Sequence, residues 1–254
     1  AYKGLEELAA KAHMIAYRVT KADCLTLPPQ VDEEYSIELS LRGRALYNKL
    51  KEEFTVMLES GNLVTVPIVL TQLLRLQQIT GGFVKNDKGE IEQVDDTKLK
   101  ELEELLESLP KDKKVVIFCR FIPEVLAISA IARRLRGKVV SFYGETTDRG
   151  KVIEQFQENP EVTTFVAQIQ TGSLGITLTA ADTMIFYSTT FGYADYEQAR
   201  ARVHRVGQKA TSVTYIHLLA KDTIDEDILA ALREKRDVAA YVVDKLKRKP
   251  AQTD

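Results

Sequence analysis

From residue 97 onward, strand-like and helix-like stretches alternate, and this alternation limits the fold more than any other feature of the sequence. Apolar runs suited to buried strands occur at Lys114–Cys119, Lys138–Phe142, Val162–Gln168, Thr183–Tyr187 and Ser212–Leu218. Helical patterns separate most of them. These span Pro123–Leu135, with its proline tolerated in the first turn, Asp148–Gln157 and Ala194–His204. A short helix from Lys98 to Ser108 precedes the series and stops before Pro110. A long amphipathic helix follows it, Thr223 to about Lys247, with Ile224, Ile228, Leu232, Ala239, Val242 and Leu246 on its apolar side. Strands joined through helices pair in parallel, so an α/β class is expected: a parallel, doubly wound sheet with helices on both faces. Such sheets bind ligands at the carboxyl ends of their strands.

The first part of the chain is organised differently. Leu5, Leu8, Ala12 and Ile15 have helical spacing, and Pro28-Pro29 then force an extended segment. Tyr35, Ile37 and Leu39 alternate with polar residues as a half-buried strand would. A helix is expected from Ser40 to about Ser60, with Leu41, Ala45, Leu46, Leu50, Phe54 and Leu58 on one stripe, stopped by Gly61-Asn62. Another is expected over 66–80, with Leu70, Leu73, Leu74 and Gln77 turned inward or onto a partner and Gly81-Gly82 at its end. Asn86-Asp87-Lys88-Gly89 reads as a tight turn between short strands. Residues 1–94 are therefore taken as a linker and helical protrusion, and 95–254 as the α/β lobe with a C-terminal bracing helix.

Composition excludes several classes. Hydrophobic content of 44% and charged content of 28% are those of a globular protein. No apolar run approaches the roughly 20 residues of a membrane helix, and no membrane partner is expected. The N-terminus lacks a signal peptide's apolar core and reads as an excised start. Cys24 and Cys119 lie far apart without metal spacing, so a reducing compartment is expected, and His13, His204 and His217 form no ligand cluster for zinc. Asp32-Glu33-Glu34 follows prolines in a polar stretch, unlike a magnesium-holding acidic box at the end of a buried strand. The net charge of −2 counts mildly against a nucleic-acid binder. Even so, Arg200, Arg202, Arg205 and Lys209 make a local basic stripe that can attract phosphates. The basic tail, Lys245 to Lys249, reads as a solvated terminus.

The run Gln198–Gln208, QARARVHRVGQ, carries the most chemistry. At about 100° per residue, Gln198, Arg202 and Arg205 share one face of a helix, and Arg200 and His204 point away. Two guanidiniums presented together suit a polyphosphate whose charge grows in a transition state. Spacing alone equally allows an exposed basic helix with solvated arginines.

Three further stretches fall at the expected ligand-bearing edge. Arg120 follows the first strand of the α/β region. Gly144-Glu145-Thr146-Thr147-Asp148-Arg149 joins the second strand to its helix, where Thr146 or Thr147 can cap and the free N–H groups attract phosphate. Thr171–Asp182 follows the third, and its Gly172 and Gly175 let backbone approach a ligand.

In order, these stretches resemble motifs IV, V and VI of the superfamily-two helicase-like ATPases, specifically the Swi/Snf-type DNA translocases. Gln198, Arg202, Arg205, Gly207 and Gln208 match motif VI, Phe118–Phe121 matches motif IV, and Gly172–Asp182 matches motif V. Leu27-Pro28-Pro29, the helix through Tyr47, and Leu74-Arg75-Leu76-Gln77-Gln78 are similar to the family's linker and second helical protrusion. The resemblance implies a RecA-like second motor lobe. Arg202 and Arg205 are then arginine fingers, with Gln198, Gly172 and Gly175 at the ATP site. Arg120, Thr146, Arg149, Thr171 and Ser173 would hold the backbone of duplex DNA. Gln170, Ser188 and Phe191 stand where the family often has arginine, aspartate and tryptophan. These departures bear on the subfamily, and the Tyr187-Ser188 variant resembles bacterial or phage members, which implies a cytoplasmic, DNA-associated protein.

A P-loop is missing from this sequence: no lysine follows a glycine-rich loop at the start of a helix. ATP and Mg2+ are therefore expected to be held mainly by an N-terminal RecA-like lobe outside this chain, and the isolated chain is expected to be inactive. A non-enzymatic nucleic-acid-binding or regulatory lobe is the alternative from another class, and a strand-separating helicase is the alternative enzyme. A Rossmann-type cofactor domain is disfavoured because no Gly-x-Gly-x-x-Gly follows the first strand.

Overall fold

The computed structural model describes residues 27–60, 64–86, 88–172 and 175–248, together with Gly4, Glu7 and Lys11. The helix expected over residues 1 to about 20 falls almost wholly outside them, as do Cys24, the Gly61-Asn62 stop and Ser173.

A six-stranded sheet, every neighbouring pair parallel, organises the molecule. Its strands are β1 (Gln30–Ile37), β4 (Val115–Cys119), β5 (Lys138–Phe142), β6 (Val162–Gln168), β7 (Thr183–Phe186) and β8 (Val213–Ala220), in the spatial order β1-β8-β7-β4-β6-β5. The central strands are buried end to end because both faces are covered. Side chains alternate between the faces. Val115, Ile117 and Cys119 of β4 pack under α3 (Thr97–Ser108) and α4 (Ile122–Arg136). Val116 and Phe118 enter the larger core on the other side. That core takes in α1 (Leu41–Glu59), α2 (Val66–Thr80), α5 (Arg149–Glu158), α7 (Tyr193–Arg200), α8 (Ile224–Arg233) and α9 (Val238–Arg248). A four-residue helix, α6 (Ile169–Gly172), follows β6 directly, and a small hairpin of β2 (Phe83–Lys85) and β3 (Ile91–Gln93) follows α2.

Four features depart from the expectations. The sheet has six strands rather than five, because β1 runs parallel to β8 and completes one edge. β1 is mostly solvent-exposed, so it lacks the continuous apolar run that marks the central strands. The single long helix expected after Thr223 is two, α8 and α9, separated at Lys235 with φ +55°. The stripe on α1 holds at Leu46, Leu50, Phe54 and Leu58, which pack on the core, but its first member Leu41 is 92% exposed and the unexpected Tyr47 is fully buried. Finally, α7 ends at Arg200, four residues short of His204.

Buried polar contacts join the first part of the chain to the lobe. Asp95 accepts from the Ser40 backbone N–H (2.8 Å) and hydroxyl (2.6 Å), tying the N-cap of α1 to the start of α3. Lys98 of α3 is 1% exposed, pairs with Asp225 of α8 and donates to the Tyr187 carbonyl at 3.2 Å. Asp225 also accepts from the Thr80 hydroxyl of α2 at 2.8 Å.

Candidate functional site

The carboxyl ends of β4, β5, β6 and β7 carry the first group of expected residues. Arg120 directly follows β4, and its guanidinium lies 4.0 Å from the ring centroid of Phe191, past β7. Burial lowers its pKa to about 10, against the opposing pull of Glu124 and Asp195. Its Nη1 is buried and has no hydrogen-bond partner among the described residues. Buried cations keep such an atom free at a cost unless a ligand supplies the acceptor. The Arg120 backbone N–H donates to the Ser188 hydroxyl (2.8 Å) and the Glu124 carboxylate (3.0 Å), and Ser188 in turn donates to Glu124 at 2.6 Å. Gln168 at the end of β6 donates to the Arg120 carbonyl at 3.1 Å. Ser188 and Phe191 thus form the seat of Arg120, one by hydrogen bond and the other by ring face. Glu124 is fully buried there, and burial raises its carboxyl to about 7 in spite of these donors.

Thr146 and Arg149 lie on the β5–α5 turn. The Thr146 hydroxyl accepts from the Tyr143 N–H at 3.0 Å and so closes the turn. The cap of α5 is neither Thr146 nor Thr147. Asp148 accepts from the Lys151 N–H at 3.1 Å. The Asp148 carboxylate, rather than a threonine hydroxyl, therefore takes up a free N–H of the helix end. Arg149 is exposed, with its guanidinium 5.5 Å from the ring centroid of Phe142 and donating to the Gly144 carbonyl at 3.5 Å. Thr171 sits on α6, 3.5 Å from the Gln168 amide oxygen, and Gly172 ends that helix. Gly175 is exposed with φ +61°, a conformation that disfavours any side chain there.

Gln198, Arg202 and Arg205 do not share a helix face. Gln198 is exposed on α7, and both arginines lie in the turn that follows it. The turn is pinned where the chain leaves the motif-V stretch. The Arg202 carbonyl accepts from the Leu178 N–H at 2.9 Å, and Arg205 donates to the Thr177 hydroxyl at 3.3 Å. Gln208 anchors its far end on the Ala181 carbonyl at 2.8 Å. Val203 between the arginines is fully buried. Arg202 and Arg205 are close enough to repel: burial first, then the charge of Arg205, lowers the pKa of Arg202. Two like charges held together in this way fit a polyanion between them.

Arg200, Asp32 and His204 were not anticipated as a unit. Arg200 pairs with both carboxylate oxygens of Asp32 on β1, donates to Gln30 at 3.0 Å, and stacks 3.9 Å from the Tyr215 ring centroid. His204 contacts the Pro28 carbonyl at 2.8 Å. The signal was present as the other face of the same run, four residues apart, but its partners lie some 170 positions away and no spacing rule reaches them.

Residues 97–207 match the family described as "Helicase conserved C-terminal domain". The "Uncharacterized ATP-dependent helicase MG018" of Mycoplasma genitalium is 26% identical over 240 residues, 93% of this chain. The solved "Sulfolobus solfataricus SWI2/SNF2 ATPase core in complex with dsDNA" is 26% identical and superposes with a TM-score of 0.68, over 96% of this chain and 54% of that one. Residues 97–207 thus carry a helicase C-terminal domain, and the chain is similar to the C-terminal lobe of SWI2/SNF2-type ATPases. Its fold is the RecA-like lobe of that family. A "Chromatin-remodeling ATPase INO80" from Mycosarcoma maydis is 34% identical over 153 residues, 59% of this chain. The chain spans only 23% of the Mycoplasma protein and 8% of INO80. Among the described residues no helix is long and apolar enough to cross a membrane, and no cluster of His, Cys, Asp or Glu could hold a metal ion.

Proposed function

We propose that the lobe is the second half of an ATP-driven, DNA-stimulated translocase, with Arg202 and Arg205 acting as arginine fingers. The observation that carries this reading is the placement of both arginines on one short turn anchored to Thr177 and Leu178. ATP and Mg2+ belong chiefly to a P-loop lobe encoded with this one, and ATP supplies the phosphoanhydride that is cleaved. Arg202 and Arg205 would neutralise charge on its terminal phosphate, and Gln198, Gly172 and Gly175 would line the ATP site beside them. The fixed turn lowers the cost of aligning the fingers when the lobes close.

Duplex DNA is the proposed track. Arg120, Arg149, Thr146, Thr171 and Ser173 would contact its phosphates along the carboxyl edge, giving grip with little sequence preference. Residues 1–94 supply the connection between lobes and a helical protrusion, with β1 as the strand that enters the second lobe. The protein would act in the cytoplasm, associated with DNA.

The test is DNA-stimulated ATP hydrolysis by the full-length protein carrying Arg205→Ala. Turnover is expected to fall about 1,000-fold or more with duplex binding nearly intact, since a finger acts in the transition state. Undiminished turnover refutes the assignment. This chain alone is expected to be silent and to gain activity only when joined to its P-loop lobe. Silence of both would favour a non-enzymatic binding lobe.

A further inference from the structure

The turn that carries Arg202 and Arg205 has a second side. Arg200 and His204, on either side of Arg202, bond the segment by which the chain enters the sheet. Arg200 holds Asp32 with both arms of its guanidinium and Gln30 with one. The Arg200 Nη1 also donates to the Tyr196 hydroxyl at 3.0 Å, and the Tyr215 hydroxyl donates to the Arg200 carbonyl at the same distance. His204 holds the Pro28 carbonyl through one ring nitrogen and lies 3.2 Å from the Gln30 amide through the other. Pro29 is fixed in turn by the Val213 N–H at 2.9 Å. Residues 28–32 and residues 177–178 are therefore both bound to one short turn.

We propose that the Asp32–Arg200 and Pro28–His204 contacts are a positioning clamp, coupling the segment that enters β1 to the placement of Arg202 and Arg205. The inference rests on the proposed finger role of those two arginines. The physical case is one of stiffness. The clamp side is well packed: the Arg200 side chain is 13% exposed, stacked on the Tyr215 ring and paired along its edge with Asp32. Burial alone would raise the Asp32 carboxyl, but Arg200 holds it below its ordinary value, so the pair stays charged at neutral pH. The turn between Arg200 and Arg205 has few residues to absorb a shift. A displacement of Pro28–Asp32 is thus passed to the guanidiniums rather than dissipated. Conversely, contacts made by the fingers bias where the entering segment lies, because coupling is reciprocal.

β1 offers an internal control. Glu34, two residues beyond Asp32, forms an exposed ion pair with Arg233 of α8 rather than with Arg200 or His204. The experiment compares Asp32→Asn, Arg200→Gln, the double variant and Glu34→Gln in the full-length protein, measuring kcat and KM for ATP with saturating duplex DNA. Asp32→Asn and Arg200→Gln are each expected to lower kcat about tenfold, with KM for ATP held within about twofold, since small misplacements of a catalytic group are costly. The double variant should lose no more than the worse single one, and Glu34→Gln should match the parent. Equal losses in Asp32→Asn and Glu34→Gln would show general weakening of the sheet edge and overturn the clamp, as would additive losses in the double variant or an unchanged kcat. Arg205→Ala, run alongside, separates the two ideas: unaffected turnover there defeats the finger reading, whereas its collapse with intact Asp32→Asn turnover defeats the clamp alone.

Discussion

Replacing Lys98 by methionine should cost far more stability than its place on a helix suggests. Its ammonium is 1% exposed and its partner Asp225 5% exposed, so neither charge is hydrated in the folded state. Lys98→Met leaves the Asp225 carboxylate buried with only the Thr80 hydroxyl (2.8 Å) and the Ala220 N–H (3.2 Å) as donors. Removing one partner of such a pair costs about 3–5 kcal/mol, because the other charge is stranded. At about 2–4 °C per kcal/mol for a domain of this size, the melting temperature should fall by roughly 6–20 °C. The Tyr187 carbonyl also loses its donor, just ahead of the Ser188–Phe191 stretch that seats Arg120. Urea unfolding of this chain gives the measurement, with the midpoint moving and the slope unchanged. Arg42→Ala is the contrast. Its pair with Glu92 has side chains 67% and 55% exposed and should contribute less than about 1 kcal/mol. Lys98→Met/Asp225→Asn should recover part of the loss, since asparagine has no charge to strand. A Lys98→Met loss below about 1 kcal/mol would refute the reasoning by showing that water reaches the carboxylate.

Two other outcomes follow from the site. Glu124 is held to about 7 by burial, above its ordinary 4.5. The folded state therefore keeps a proton that the unfolded chain releases, so this contribution is full below about 4.5 and declines as pH rises to about 7. Glu124→Gln should remove that slope from a series of urea midpoints across the window, and an unchanged slope would count against a buried, protonating carboxyl. Arg149→Ala should weaken duplex binding uniformly across sequences and reduce its salt slope by about 1, measured by titration at several ionic strengths. An unaltered slope would mean that Arg149 touches no phosphate.

The alternating strands and helices were legible because punctuation and pattern agree there. β4, β5 and β6 are preceded by Lys114, Gly137 and Glu161, and α2 runs from Val66 to Thr80 as its Pro67 and Gly81-Gly82 indicate. The break between α8 and α9 was not legible from punctuation, since Arg233-Glu234-Lys235-Arg236-Asp237 contains neither Gly nor Pro; its one trace is that the apolar stripe lapses across these five charged residues. Lys235 alone makes it, by adopting a left-handed conformation that its sequence does not announce. The early end of α7 is a tertiary effect: the Arg202 carbonyl is taken by Leu178 rather than by a further helical turn. Of the site, the residue types were readable and their partners were not. Arg120, Arg149, Arg202 and Arg205 stood out, but the ring of Phe191, the carboxylate of Asp32 and the buried Glu124 reach them only through the fold.

The parallel pairing of β1 with β8 has a consequence for how the chain folds. Gln30 lies beside Val213, so about 180 residues must be closed into a loop before that ladder forms. During synthesis β1 leaves the ribosome early and has no strand to join until β8 follows. Its acidic stretch, Asp32-Glu33-Glu34, then keeps a solitary strand soluble and unattractive to others while it waits. The edge should consequently be among the last parts of the molecule to lock, and contacts of high sequence separation should make that final step slow.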